Sequence, residues 1–248
     1  MVISIYPITE IGEITKGVKL GEAIAEALPK NALTLLKGDI VVVTSKAVSK
    51  AEGRLIKLND VKPTSKAERL AKRLNKDPRV AELILRESRR VLRVERGIII
   101  TRTKHGIICA NSGIDQSNVP EGYAVLLPED PDRSAEVIAK QIEKKTGVKP
   151  PVIITDTYGR PWRRGQVQFA IGVYGLNPIL DYRGKPDTYG RELKVTEIAV
   201  ADELASAAEL VMGKTKRCPV ALVRGYEYEE RSGKAKDLIR PLREDLFK

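Results

Sequence analysis

Hydrophobic positions along this chain fall into two rhythms, short continuous runs and stripes spaced three or four residues apart, and each predicts a different kind of element. Residues 3–6 read as a first strand, a loop punctuated by Gly12 and Gly17 follows, and Ile24, Ala27 and Leu28 mark one face of a helix over about 20–28. From the Lys37-Gly38-Asp39 turn the chain enters an apolar strand over 40–44, a run of the kind buried on both faces of a sheet. It leaves through the polar stretch Ser45-Lys46-Ala47-Val48-Ser49-Lys50. Ser65 with Glu68 reads as a capping box opening a helix to about Asn75, and Asp77-Pro78 opens a second helix to about Arg90. Three β-prone pieces, 91–94, 97–101 and 106–110, are divided by turns at Arg96-Gly97 and His105-Gly106 and predict a meander. A helix over about 134–145, ended by Gly147, leads through Pro150-Pro151 into a strand over 152–155 that delivers Asp156. After a loop from Tyr158 to Gly165, residues 167–174 read as a strand, 196–212 as a long helix rich in Ala and Leu, and 220–223 as a last buried strand. No repeat, biased tract or linker interrupts this mixture, which predicts an α+β or mixed α/β chain folding as one unit over 1–248, with any lobes interwoven.

Composition narrows the class. Apolar residues make up 42% of the chain, but every run is far shorter than the roughly 20 residues that cross a bilayer. The opening residues carry no basic stretch followed by a long apolar one, so a mature cytoplasmic protein is expected. Cys109 and Cys218 share no C-x-x-C spacing and are expected to be buried, inert thiols. A formal charge of +11 implies an anionic partner. Nucleic acid is one such partner, but the basic residues are scattered and aromatic residues are 4% with no cluster on which bases could stack. A nucleotide or a phosphorylated small molecule fits the charge at least as well.

Divalent Mg or Mn takes hard oxygen ligands, usually one or two carboxylates completed by substrate phosphates. Asp156, followed by Thr157, stands at the carboxyl end of an apolar strand, where ligands collect in sheets of this type. Asp115 stands in Asn111-Ser112-Gly113-Ile114-Asp115-Gln116-Ser117-Asn118, a dense run of donors and acceptors directly after a strand. Each Asp could equally bond its own backbone in a turn. Lys46 and Lys50 flank Ser49 beyond the buried strand, where ammonium groups could hold phosphates, although solvated lysines are ordinary there. Arg160, Arg163 and Arg164 surround Pro161-Trp162, a basic loop suited to a bidentate grip on carboxylate or phosphate. The lone Trp162 stacks on a ligand ring or packs, packing being its commoner state. Gly213-Lys214-Thr215 suggests a phosphate-binding P-loop, but the required earlier glycine is Ala208, within the long helix, so only Lys214 itself remains a phosphate candidate. Glu209 is solvated by default, with metal ligation the minority reading. One histidine, His105, and no suitably placed cysteine leave no imidazole-based nucleophile triad.

Four ordered motifs add a resemblance. Gly38-Asp39-Ile40-Val41-Val42-Val43, Val48-Ser49-Lys50-Ala51-Glu52-Gly53-Arg54, the Asn111-to-Asn118 run and Asp156-Thr157-Tyr158-Gly159-Arg160-Pro161-Trp162-Arg163 together look like the coenzyme F420-0:L-glutamate ligase family, the γ-glutamyl ligases of archaeal coenzyme F420 biosynthesis. The resemblance implies an α+β fold of intertwined lobes, a homodimer, and a ligase using GTP with Mg2+ or Mn2+ and helped by K+. It would join L-glutamate to the coenzyme precursor, and a second glutamate by γ-linkage, through an acyl phosphate. By position it makes Asp115, Asp156 and Thr157 metal ligands, Asn118 a GTP contact, and Ser45, Lys46 and Lys50 phosphate or nucleotide contacts. It makes the Thr9-Glu10-Ile11-Gly12 loop a backbone cradle and the segment of Glu209, Gly213 and Lys214 a second nucleotide stretch, with Glu209 toward metal. Arg160, Trp162 and Arg163 are the expected substrate contacts, and neither nucleic acid nor membrane is an expected partner. A basic RNA-binding protein and a GTP hydrolase without an amide acceptor are the alternatives.

Overall fold

In the computed structural model, which describes residues 2–245, the chain runs in order through β1 (Ser4–Ile8), α1 (Leu20–Ala27), β2 (Ile40–Thr44), α2 (Ser45–Ala51), β3 (Leu55–Lys57), α3 (Ser65–Leu74), α4 (Pro78–Glu87), β4 (Ser88–Glu95), β5 (Ile98–Thr103) and β6 (Ile108–Ala110). It continues through β7 (Tyr123–Val125), α5 (Pro131–Thr146), β8 (Val152–Gly159), β9 (Gln166–Tyr174), β10 (Leu180–Asp181), β11 (Glu197–Ile198), α6 (Val200–Met212) and β12 (Val220–Arg224). The fold is mixed, with helices covering an extended central sheet and smaller antiparallel sheets beside it.

The central sheet has the order β1-β12-β2-β8-β9. Only β2 and β8 are parallel neighbours, in register from Val41↔Val152 to Thr44↔Thr155; the other pairs are antiparallel. Because side chains alternate across a strand, each apolar run serves two cores. Val41, Val43, Val152, Ile154, Val220 and Leu222 pack with α1 and α5 on one face. Ile40, Val42, Ile153, Ala221 and Val223 pack with Ala201, Leu204, Ala205, Ala208 and Met212 of α6 on the other. The continuous apolar sequence of β2 is thus explained by a sheet covered on both sides. Helices α1 and α5 cross so closely that a Cβ on Gly21 would collide with the Ile138 carbonyl, and the Gly21 N–H donates to Gln141 Oε1 at 2.8 Å. At the far end of the sheet, the buried Asp39 accepts both prongs of Arg224, Nε at 2.8 Å and Nη2 at 2.7 Å, which ties β12 to the turn before β2.

A third core gathers α3, α4 and residues of β5 and β7, including Leu70, Leu74, Ile84, Ile99 and Ala124. Beside it the meander forms as expected, in the order β4-β5-β6. Strand β3 pairs with β7, and Asp115 bridges to Val125 through both backbone bonds. That bridge fixes the loop carrying Asp115 against β7, beside β3.

Several boundaries differ from the sequence reading for identifiable reasons. The polar exit after β2 is itself a helix, α2, which starts directly at Ser45. The second helix stops at Glu87, not near Arg90, because Ser88 and Arg90 are drawn into β4 by pairing with Thr103 and Arg102. Strand β8 outruns its expected end at Thr155 and reaches Gly159 because β9 pairs with it throughout. The long helix begins at Val200, since Glu197 and Ile198 pair with Asp181 and Leu180. The fifth helix starts earlier than expected, with Asp130 as its cap and Pro131 in its first turn.

The cap of α3 is also displaced by one residue. Thr64, not Ser65, holds the N-cap position, accepting from Ala67 N at 3.3 Å. Its own N–H and hydroxyl donate to Glu82 Oε2 at 2.9 and 2.8 Å, and Glu82 is only 6% exposed. Thr64→Ala is therefore expected to destabilise the protein by about 1–2 kcal/mol, since it removes a cap and a partner of a buried carboxylate. Ser65→Ala should stay within about 0.5 kcal/mol. Denaturant unfolding of the two variants checks this, and equal losses would refute the assigned cap.

Candidate functional site

Strand β2 ends at Thr44, paired with Thr155, while β8 runs four residues further with only β9 beside it. The place that a continuing β2 would occupy is taken by the start of α2. By the alternation of β8, Asp156 continues the face of Val152 and Ile154, and Thr157 the face of Ile153 and α6. Adjacent residues therefore project on opposite sides of the sheet at the carboxyl end of its parallel pair, the position where open α/β sheets bind ligands.

On the first side, Ser45 Oγ donates to Asp156 Oδ1 at 2.7 Å. Lys46 Nζ donates to Asp115 Oδ2 at 2.8 Å, to the Ser117 carbonyl at 2.6 Å and to Ser117 Oγ at 3.0 Å. Ser117 N and Oγ each donate to the Asp115 carboxylate at 2.7 Å. The turn reading of Asp115 thus holds along with its placement at the site. One helical turn on, Lys50 Nζ donates to the Asn118 carbonyl at 3.2 Å. On the second side, Lys214 Nζ donates to Thr157 Oγ1 at 2.6 Å and pairs with Glu209 at 3.1 Å. Asn118 Nδ2 reaches across to the Lys214 carbonyl at 3.3 Å and joins the two halves. Gly213, with φ +60°, ends α6 and turns Lys214 toward the sheet. Ala208 lies buried inside that helix, so this segment is a helix C-terminus and not a P-loop.

The electrostatics of the two acids differ. Burial raises the pKa of Asp156 above the ordinary carboxylate range, and the charge of nearby Asp115 adds to this. The Ser45 hydroxyl, the Thr157 N–H and Lys214 oppose it. For Asp115 burial acts in the same upward direction but is outweighed by bonds from Lys46 and Ser117, which leave its pKa lowered. Two carboxylates close enough to repel, one of them poorly solvated, favour a further cation between or beside them. Cys109 stands near enough to feel the Asp156 charge; burial, with that charge adding, pushes its thiol up to about 12. Both cysteines are free; Cys218 is buried as expected, while Cys109 is only partly buried, its raised pKa favouring the neutral thiol.

The Thr9-to-Gly12 loop stands at the same sheet edge, because Ile8 pairs with Val220 and Val220 with Val43. Thr9 is anchored by Asn31, whose Oδ1 accepts from its N–H at 3.1 Å and from its hydroxyl at 2.8 Å. Glu10 and Gly12 adopt positive φ, 57° and 82°. Among the described residues no partner takes the N–H of Glu10, Ile11 or Gly12, and no hydrogen bond joins this loop to the acidic cluster. The arginine loop is less engaged. Trp162 is 82% exposed, with φ +59°, so the expectation that it packs is not met. Arg163 is exposed, while Arg160 Nη1 is buried without a partner among the described residues.

Two polar residues of the site were missed from sequence. Ser117 clamps both Asp115 and Lys46, and its spacing two residues after an Asp was the available signal. Gln168, buried in β9, donates to Thr157 Oγ1 at 3.1 Å; an amide within an apolar strand was its signal.

No group of three or more His, Cys, Asp or Glu among the described residues forms a ready-made metal cage. The donor chemistry nevertheless fits Mg2+ or Mn2+, which commonly take one or two carboxylates and leave other positions to substrate phosphates. Asp115 and Asp156 could supply those carboxylates, with the Thr157 hydroxyl and Glu209 alongside.

Comparison with known proteins gives the family. The family model described as F420-0:Gamma-glutamyl ligase matches residues 9–225. The chain is 45% identical to the coenzyme F420:L-glutamate ligase of Methanothermobacter thermautotrophicus, with 100% of both chains covered. It is 48% identical to the protein of that name from Methanocaldococcus jannaschii, over 85% of each chain. To that of Methanopyrus kandleri it is 45% identical, over 95% of each. A match that runs from the Thr9 loop to the end of β12, and so spans every element of the site, means that the chain belongs to the F420-0:gamma-glutamyl ligase family.

Proposed function

We propose that this protein joins L-glutamate to the coenzyme F420-0 precursor at the expense of GTP, and adds a second glutamate by γ-linkage, as a homodimer in the cytoplasm. The observation that carries the reading is the meeting of Asp115 and Asp156 with three lysines, Lys46, Lys50 and Lys214, at the carboxyl end of the parallel strand pair. Acids for a cation and ammonium groups for phosphates suit phosphoryl transfer by positioning and electrostatics.

Asp115, Asp156 and Thr157 would hold Mg2+ or Mn2+, with Glu209 next to them, and the bound ion would neutralise phosphate charge; K+ is the further ion that we assign to the reaction. Lys46 and Lys50, one turn apart on α2, are placed to accompany the β- and γ-phosphates. The N–H groups of Glu10, Ile11 and Gly12, without a partner among the described residues, offer an anion cradle at the same end of the sheet. Asn118, in contact with Lys50 and Lys214, lies between the two halves where a guanine nucleotide would bridge them. The buried Nη1 of Arg160, without a partner among the described residues, is suited to a substrate carboxylate, with Arg163 and the exposed Trp162 beside it.

In the chemistry so supported, a carboxylate oxygen of the precursor attacks the γ-phosphorus of GTP, and the bond to GDP breaks. The glutamate amine then attacks the acyl carbon of the resulting acyl phosphate, loses a proton, and inorganic phosphate leaves. The side chains bind and orient; none forms a covalent bond. A P-loop hydrolase is disfavoured by the course of α6 through Ala208, and an RNA-binding surface by the concentration of these lysines around acids.

Asp156→Asn keeps the shape of the side chain and removes its charge. We expect it to lower ligation by about a hundred- to a thousandfold with an unchanged thermal midpoint. Asp115→Asn should behave alike, and the double variant should be little worse than either single one, because the two act as a unit. Normal turnover in Asp156→Asn would refute the assignment.

The order of events supplies a second prediction. Phosphate release from GTP should be slow with enzyme and divalent ion alone, rise when the precursor is added, and yield glutamylated product by mass only when glutamate is also present. Release at full rate without precursor would instead identify a hydrolase.

A further inference from the structure

Gln168 lies on β9 directly opposite Thr157 of β8. It is 4% exposed, in a strand whose other buried positions, Ala170, Ile171, Gly172 and Val173, carry no polar side chain. A side-chain amide in such a place loses its water and is tolerated only when its donors and acceptors are met. The oxygen and one N–H of Gln168 are met by two threonines of the facing strand. Gln168 Oε1 accepts from Thr155 Oγ1 at 2.9 Å, and Gln168 Nε2 donates to Thr157 Oγ1 at 3.1 Å. Its backbone carbonyl is held in turn by Ser206 Oγ of α6 at 2.7 Å. A chain of polar contacts thus runs from the interior of the sheet, Thr155 to Gln168 to Thr157, and ends at the Lys214 ammonium and Glu209.

A hydroxyl oxygen carries one proton and two lone pairs. On Thr157 the lone pair facing the sheet interior is taken by the Gln168 amide, and the other is turned to the edge, where it accepts from Lys214 Nζ at 2.6 Å. Threonine alone would not fix this direction, since its hydroxyl could turn and bond a nearby carbonyl. We propose that Gln168 is a positioning residue, which pins the Thr157 oxygen so that its outward lone pair is presented to a cation at the sheet edge. Lys214 is the cation there in this structure, and a divalent ion accompanying the nucleotide is the one the reaction would use. This inference rests on the ligase reading and assigns Gln168 an action through Thr157 only, with no contact to substrate.

The test is a titration of Mn2+ by electron paramagnetic resonance in the presence of a non-hydrolysable GTP analogue, on the full chain. Gln168→Met has a similar length and cannot donate. It should raise the half-saturating Mn2+ concentration about tenfold, the equivalent of one hydrogen bond to a ligand. In a Thr157→Val background the same substitution should change the Mn2+ midpoint no further, because the oxygen it positions is gone. Thr155→Val, which removes the anchor of the amide and leaves Gln168 intact, should move the midpoint in the same direction by a smaller factor and serves if Gln168→Met folds poorly. Wild-type Mn2+ affinity in both Gln168→Met and Thr155→Val, or an equal further loss in the Thr157→Val background, would overturn the proposal and leave Gln168 a residue of stability alone. A wild-type protein that binds no Mn2+ with the analogue would instead overturn the ligase reading on which it rests.

Discussion

The site depends on an inequality of length between two parallel strands. β2 stops where Thr44 meets Thr155, and β8 continues to Gly159. Had both ended together, Asp156 and Thr157 would be loop residues free to choose their direction. Because β9 keeps β8 extended, they remain strand residues with fixed and opposite orientations. A ligand lying across the edge can then meet a carboxylate from one side and a hydroxyl from the other. The two apolar cores that hold the sheet, with α1 and α5 on one face and α6 on the other, are what keep that edge rigid. Binding groups on strands and helix starts are placed more closely than groups on loops.

Charge at this edge is arranged in opposing pairs. Lys46 faces Asp115 and Lys214 faces Glu209, while Asp156 has hydroxyl and N–H partners but no cation in direct contact among the described residues. The resulting imbalance is local: one poorly solvated carboxylate with a raised pKa, next to a second, ionised one. A divalent ion bound there would relieve both the desolvation and the repulsion. If it came with an anionic nucleotide, as we propose, Lys46 and Lys214 would gain new partners in phosphate oxygens. The net charge of +11 fits the same picture of an anionic substrate, although charge alone did not name it.

Much of the fold was legible because it rests on periodicity. The all-apolar run 40–44 lies in the middle of a doubly covered sheet, and the pieces of the meander pair in sequence order. Errors cluster where tertiary pairing overrides a local pattern. Ser88 and Arg90 suit a helix end in isolation but join β4, and Glu197 suits a helical turn but pairs with Asp181. The short strands β3, β7, β10 and β11 carry too little pattern to be seen. For the site, Asp156 was visible as the polar residue ending an apolar strand, and Asp115 as part of a donor-rich loop. What sequence could not supply was their meeting, which is made by the Asp115–Val125 bridge and by the Lys46 and Asn118 contacts across long separations. The arginine loop is the weakest part of that reading, since Trp162 turned outward where packing was expected.

The central claim is that Asp115 and Asp156 share a cation with the phosphates of a nucleotide at the carboxyl edge of β2 and β8. A crystal structure grown with Mn2+ and a non-hydrolysable GTP analogue, with anomalous scattering recorded at the manganese edge, tests it most directly. The account predicts an anomalous peak at about 2.1 Å from oxygens of both carboxylates and of a phosphate, with Lys46 moved from Asp115 onto the phosphate chain. A nucleotide seated elsewhere, or manganese bound away from Asp115 and Asp156, would contradict it.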